Sequence, residues 1–211
     1  NIRVLDSSEF SDFTRIGKGG HSTVYSAEYR GTKIAVKEIK SEDVRAFTNE
    51  VKQLMAVNNE NYIIGFIGII EINNYMIVLQ YANGGSLRNY LKSHKTREHI
   101  FRISCAEVIL IAGQVILGLK YLHNNNIAHG DLLTSGTRPF LNVRNKASLI
   151  LYIALGKREK TIPGTPSNYA KIYKKCWKTN PKKRPKLDVI LYKIQQSEKK
   201  IDIVNEIRCL A

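Results

Sequence analysis

The chain has few cysteines, few acids and no long apolar run, and each shortage narrows what it can be. Its three cysteines, Cys105, Cys176 and Cys209, are odd in number, far apart and without a Cys-x-x-Cys spacing. That argues against a disulfide framework or a zinc site and for reduced thiols, so a cytoplasmic location is expected and no metal ligands are assigned. The longest greasy stretch, "VILIAGQVILGL" at 108–119, is too short to cross a bilayer and reads as a buried helix, so no membrane partner is expected. The first residue is Asn, and no basic stretch followed by an apolar run and a small-residue cleavage site comes after it. The sequence therefore reads as a fragment or an incomplete gene product in which a secretory signal is not visible. No internal repeat or low-complexity linker divides it.

Acids are scarce: 18 Asp and Glu stand against 33 Lys and Arg, a net charge of +15. The excess gathers in residues 156–200, where 14 basic residues meet three acids, Glu159, Asp188 and Glu198. Such a patch suits nucleic acid, acidic lipid or an acidic protein. Within it, however, Tyr169, Ile172, Tyr173, Cys176 and Trp177 keep the spacing of one helix face, and Lys171, Lys174, Lys175 and Lys178 fall mainly between them. A solvated lysine face is the preferred reading, and nucleic acid is not an expected partner.

What is present is an ordered series of elements. "FTRIGKGG", "STVYSAEY" and "KIAVKEI" read as antiparallel strands joined by a glycine-rich turn and by "RGT". Residues 42–57 carry Val44, Phe47, Val51, Leu54 and Met55 at helical spacing. "YIIGFIGIIE" and "YMIVLQYA" are two further strands joined at Asn73 and Asn74. The remainder is helical: "SLRNYLKSH" with Ser86 as N-cap, the long "CAEVILIAGQVILGLKYLH", "NKASLILYIAL" ended by Gly156, "TPSNYAKIYKKCW" opened by Thr165 and Pro166, and "PKLDVILYKIQQ". The final "IDIVNEIRCL" extends the last helix or forms a short tail helix.

Two features carry chemistry. The turn Gly17-Lys18-Gly19-Gly20-His21-Ser22 nearly fits G-x-G-x-x-G, but a strand follows it where a dinucleotide fold needs a helix. That favours a flap between two strands, able to lay backbone N–H groups over phosphates. Lys37 lies in a strand among Ile34, Ala35 and Val36, where an unpaired charge is costly. Glu50, on the next helix, is its natural partner, and the pair would aim the ammonium at phosphates.

At these residues the sequence resembles a eukaryotic protein kinase. "IGKGGHSTVY" resembles the glycine-rich loop, "IAVK" the strand of the ATP-positioning lysine and "NEVKQL" the helix of its glutamate. "MIVLQYANGGSLRNYL" resembles the hinge and the helix after it, "ILGLKYLHNNNIAHGDL" the approach to the catalytic loop, and "CWKTNPKKRP" the C-terminal helices. The run "GKREKTIPGTPSNYAKIYKKCW" is similar to greatly expanded fungal kinase-like families. The resemblance implies an α+β, protein-kinase-like fold: an antiparallel five-stranded N-lobe with one main helix over 10–83, a truncated, mostly helical C-lobe over 84–197 and a tail over 198–211. It implies ATP as ligand, held by Ile16, Gly17, Lys18, Gly19, Gly20, Val24, Ala35, Lys37, Leu79 as gatekeeper, and the backbone of Gln80 to Ala82. Lys37 and Glu50 would orient the phosphates, and Asp131, in "His-Gly-Asp" where kinases have His-Arg-Asp, would be a remnant of the catalytic base.

The departures are severe. The family has a metal-binding Asn five residues after that aspartate, and position 136 is Gly. No Asp-Phe-Gly or Ala-Pro-Glu occurs anywhere, and Asp188, past the Arg-Pro pair, cannot stand in. "LTSGTRPF" resembles the end of a buried helix that should come much later. The chain thus reads as two family motifs fused at Leu132/Leu133 with the segment between them deleted. The expectation is an ATP-binding domain that holds no magnesium and transfers no phosphoryl group. The rivals are an active kinase in a full-length isoform, a pseudokinase scaffold with a protein partner, and a basic interaction module. Arg184 is expected to have lost its glutamate partner, and the C-terminal half to be poorly packed.

Overall fold

The computed structural model describes residues 2–19, 22–39, 44–58, 60–94, 103–129, 140, 145–161, 165 and 167–196, without the side chains of Cys105, Lys146 and Ala147. The chain forms two compact units, Asn1–Gly85 with Tyr121–Ala128, and Ser86–Lys120 with His129–Ala211.

The first unit is a five-stranded antiparallel sheet of β1 (Phe10–Lys18), β2 (Ser22–Tyr29), β3 (Thr32–Ile39), β4 (Phe66–Glu71) and β5 (Tyr75–Gln80), in the order β1-β2-β3-β5-β4. Helix α1 (Val44–Ala56) lies between β3 and β4 in sequence. The expected "RGT" turn is there: Arg30 and Gly31 sit at φ +50° and +74°. A two-residue hairpin loop with both residues at positive φ matches the strand twist, and β2 and β3 pair without interruption from Tyr29↔Thr32 to Ser22↔Ile39.

Period-two alternation then sorts the side chains. Ile34, Val36, Ala27, Tyr29, Ile70, Met76 and Val78 form a cluster on one face, and Leu5 completes it. On the other face Phe66, Ile69 and Ile77 meet Val51 of α1, with Phe47, Leu54, Ile39 and Leu79 around them. Ile34, Ile70, Ile77, Val36, Val51 and Val78 are the most deeply buried, and each contributes about 1.5–3 kcal/mol relative to exposure.

Two results differ from the sequence reading. "YIIGFIGIIE" is a strand only from Phe66. Asn58 bonds both backbone groups of Phe66, at 2.9 Å each, and Gly65 closes onto Gln80, so the residues before Phe66 form turns instead. Residues ahead of Phe10 also join the unit. Leu5 N–H donates to the Ile69 carbonyl and Ile69 N–H to the Arg3 carbonyl, both at 2.9 Å, laying a short parallel strap on the free edge of β4. A Cβ on Gly68 would stand 2.6 Å from the Arg3 carbonyl oxygen, so the strap needs glycine there. The strap leads into a 3-10 turn, Ser7–Glu9, capped by Asp6. Glu9 then holds Arg30 through two hydrogen bonds of 2.5 and 2.6 Å.

The second unit is helical. Helix α2 (Leu87–Ser93) starts where Ser86 Oγ accepts from Asn89 N–H, as its sequence predicts, and Tyr90 OH donates to Glu107 of α3. Helix α3 (Cys105–Asn124) is longer than the apolar run inside it. Its stretch Ala106–Asn124, of mean hydropathy 1.4, is long and apolar enough to cross a membrane by length and composition alone, which corrects the expectation of a run too short to do so. Nor is it a fully buried helix, for only 17% of that window is buried. Ile109 and Ile116 are its buried apolar side chains, packed with Ile172, Ile190 and Ile194.

Helix α4 (Lys146–Ala154) ends at Gly156, φ +79°. Gly156 N–H donates to Ile153 O and Lys157 N–H to Tyr152 O, each 3.0 Å, the paired closure of a glycine-ended helix. Asn126, φ +59°, ends α3 the same way with Ile127. Helix α5 (Ser167–Cys176) turns Ala170 and Ile172 inward. Burial pushes the Tyr169 hydroxyl and the Cys176 thiol above their ordinary values, so both stay protonated at neutral pH. A 3-10 turn, Pro181–Lys183, and helix α6, residues 187–196, complete the unit. Thr165 is described but Pro166 is not, and the 198–211 tail lies outside the described residues. Arg184, expected to be without its family partner, donates instead to the Lys178 carbonyl at 2.9 Å.

Candidate nucleotide site

Strand register builds the site. Val24 pairs with Lys37, and Lys37 with Ile77; Ser26 pairs with Ala35, and Ala35 with Leu79. Cross-strand partners share a face, so Val24, Lys37, Ala35 and Leu79 stand together on the α1 side of the sheet. Gly17 pairs with Val24 and brings the start of the flap to the same rows.

Lys37 Nζ is ion-paired with Glu50 of α1, with side-chain exposures of 26% and 32%. Phe47, Glu50, Val51 and Leu54 share one face of the helix, so the packing of Val51, Phe47 and Leu54 in the inner cluster holds Glu50 toward the sheet. A half-buried pair loses less to solvent screening than a surface pair does. It also leaves the ammonium with donors to spare, since lysine has three.

The flap is closed by Gly19 N–H donating to the Ser22 carbonyl at 2.8 Å. A Cβ at Gly19 would lie 3.6 Å from that oxygen, and one at Gly17 3.8 Å from Val24 Cβ, both ordinary van der Waals contacts, so the flap backbone runs close to β2. Ile16, beside Gly17, is 49% exposed. At the far end Gln80 is held twice by Gly65: its N–H donates to the Gly65 carbonyl at 2.8 Å and its Oε1 accepts from Gly65 N–H at 3.2 Å. Ala82 is fixed through its carbonyl, which accepts from Gly85 N–H at 3.0 Å. Lys33 lies over the Tyr81 ring, 4.6 Å from its centroid, bracing the same segment.

Val24, Ala35, Lys37, Glu50 and Leu79 are thus brought onto one side of the sheet, with Ile16, Gly17, Lys18 and Gly19 on the strand and flap above and Gln80 and Ala82 at its end. Gly20, Asp131 and the Leu132/Leu133 junction lie outside the described residues. Among the described residues no group of three or more His, Cys, Asp or Glu is placed to hold a metal ion. Sequence reasoning missed Asn58 and Gly65. Their signal was the turn composition of "NNENY", assigned to no element, and the glycine ahead of Phe66, absorbed into an over-long strand.

Comparison with known proteins matches residues 11–135 to the family described as protein tyrosine and serine/threonine kinase. The chain is 35% identical over 131 residues to the RAF proto-oncogene serine/threonine-protein kinase of Xenopus laevis, covering 60% of this chain and 19% of that protein. It is 32% identical over 133 residues to the Raf homolog serine/threonine-protein kinase of Caenorhabditis elegans, covering 61% of this chain and 16% of that protein. With the probable serine/threonine-protein kinase zyg-1 of Caenorhabditis briggsae it shares 29% identity over 175 residues, covering 75% of this chain and 23% of that protein. The chain therefore spans less than a quarter of the length of these relatives.

Proposed function

The chain belongs to the protein tyrosine and serine/threonine kinase family, and on that premise we propose that its first unit binds ATP while the chain itself transfers no phosphoryl group. The carrying observation is the Lys37–Glu50 pair on the sheet face that also holds Val24, Ala35 and Leu79. Bound there, ATP would stack its base between Val24, Ala35 and Leu79 and take backbone contacts at Gln80 and Ala82. Its phosphates would lie under the Gly17–Gly19 flap against Lys37.

The silent half of the proposal rests on the sequence beyond Asp131. Phosphoryl transfer needs metal ions that bridge the phosphates and neutralise developing charge. Position 136 is Gly where the family has its metal-binding Asn, and neither Asp-Phe-Gly nor Ala-Pro-Glu occurs. A deletion at Leu132/Leu133 accounts for this. One observation supports it: the family match stops at residue 135. The run "GKREKTIPGTPSNYAKIYKKCW" supports membership of an expanded fungal branch.

The test has two arms. A fluorescent ATP analogue binds the chain, and Lys37→Ala weakens it about tenfold, the loss of one charge-assisted contact of about 1.4 kcal/mol. No phosphate moves to a generic protein substrate with or without magnesium. Insertion of a family segment between Leu132 and Leu133 restores transfer. Analogue binding untouched by Lys37→Ala would sink the site, and magnesium-dependent transfer by the unaltered chain would sink the silence. The relatives' names favour one second reading, that a form retaining the segment is an active serine/threonine kinase.

A further inference from the structure

The second unit carries two surfaces that a soluble helical unit does not ordinarily leave open. Helix α4 exposes its aliphatic side chains: Ile150 is 69% exposed, Leu151 60% and Leu155, just beyond the helix, 68%. An apolar patch of this kind marks a docking surface. The second surface is basic. Lys171, Lys174, Lys175 and Lys178 recur at i, i+3, i+4 and i+7, a single face along and just past α5, and all four are exposed. Residues 156–186 hold eleven Lys and Arg against one acid, Glu159. None of those four lysines has an ion-pair partner among the described residues. A solvated face normally mixes signs, because like charges at i, i+4 repel.

The two surfaces meet. Arg158 Nη1 donates to the Ile153 carbonyl at the end of α4 and its Nε to the Trp177 carbonyl at the end of α5, at 2.9 and 3.0 Å. A Cβ on Gly156 would stand 3.6 Å from Thr179 Oγ1. An open cleft of about 340 Å³ lies between the turn after α4 and the end of α5, lined by Arg158, Glu159, Lys174, Trp177, Lys178 and Thr179, and Trp177 is 39% exposed.

We propose that this joined face docks on an anionic lipid bilayer, with Leu151, Leu155 and Trp177 entering the interface and the α5 lysines held against the headgroups. The sequence alone led to no expectation of a membrane partner; the aliphatic exposure changes that. A nucleic acid or acidic peptide would answer the lysines and leave Ile150, Leu151 and Leu155 in water, whereas an anionic bilayer answers both. The inference concerns the second unit and stands apart from the nucleotide site of the first.

Flotation of the full chain with vesicles is the test, since aggregated protein sinks and vesicle-bound protein rises. The chain floats with phosphatidylcholine vesicles doped with phosphatidylserine, not with phosphatidylcholine alone, and high salt weakens the binding. Each basic residue near an anionic surface contributes about a fivefold factor, so the double change Lys174→Ala and Lys178→Ala lowers partitioning roughly thirtyfold. Leu151→Asp, at a site already exposed, lowers it as well. Nucleotide binding by the first unit is unchanged in all these variants. Three results each overturn the proposal: no flotation with either vesicle, equal flotation with both, or binding to a single-stranded oligonucleotide that ignores Leu151→Asp while vesicles stay bare.

Discussion

At the scale of single residues the most informative contacts lie ahead of the first strand. Arg30 donates two hydrogen bonds to Glu9 and holds its carboxyl below the usual carboxylate range. A carboxylate depressed in the folded state contributes stability that is fully present above its unfolded value and is lost as pH falls through the lowered one. Melting temperature should therefore drop more steeply with acid in the unaltered chain than in Glu9→Gln, and the opposite order would refute the coupling. Leu5 is 6% exposed in the outer cluster, so Leu5→Ala should cost about 2–4 kcal/mol by denaturant titration. Gly68→Ala acts at the same place from the other side. Its new Cβ meets backbone, which cannot swing away, and a loss of about 1–3 kcal/mol is expected. A neutral Gly68→Ala would mean that the strap contributes nothing to folding. None of this was legible from residues 2–5, which are too few to show a period, and whose partner Ile69 lies far along the chain. Lys37 was legible, because a charge among apolar strand residues demands a partner and the next helix offered Glu50.

At the scale of elements the sequence signals held where a side chain sets a boundary by itself. Ser86 starts α2 and Gly156 ends α4, as their types predict. They failed where a boundary depends on a distant group: β4 begins late because Asn58 holds Phe66, its first residue, and Gln80 holds Gly65 in front of it. The glycine end of α4 is testable. At φ +79° an alanine brings its Cβ against the following carbonyl, and Gly156→Ala should cost about 1–2 kcal/mol. Gly113, inside α3 with nothing within 4 Å of an added Cβ, is the control, where alanine should be neutral or stabilising by about 1 kcal/mol. If the two changes behave alike in thermal melts, the turn after α4 is not held in this geometry. The same contrast explains α3. Its composition alone suits a membrane or a core, and only the packing of Ile109 and Ile116 on α5 and α6 and the Lys120–Asp188 bond, 2.6 Å, show what it lies against.

At the scale of the whole molecule, charge and apolar exposure oppose each other. A net charge of +15 keeps copies apart, while Ile150, Leu151, Leu155 and Val189 invite them together. Added salt shortens the reach of that repulsion from about 10 Å at 0.1 M to about 3 Å at 1 M. Light scattering should accordingly rise with sodium chloride, and Leu151→Asp should delay the rise. Scattering that stays flat across that range would show that the repulsion is not what keeps the chain dispersed.

The strap also bears on where this chain can be cut. A chain trimmed to begin at Phe10 keeps every strand of the sheet and every residue of the candidate nucleotide face, yet it uncovers the Ile69 backbone on the outer edge of β4. An uncovered edge is a template for another strand. Such a shortened protein would offer its neighbours the slot that Arg3 and Leu5 now fill, and would be open to edge-to-edge pairing without losing a single side chain of the candidate nucleotide face.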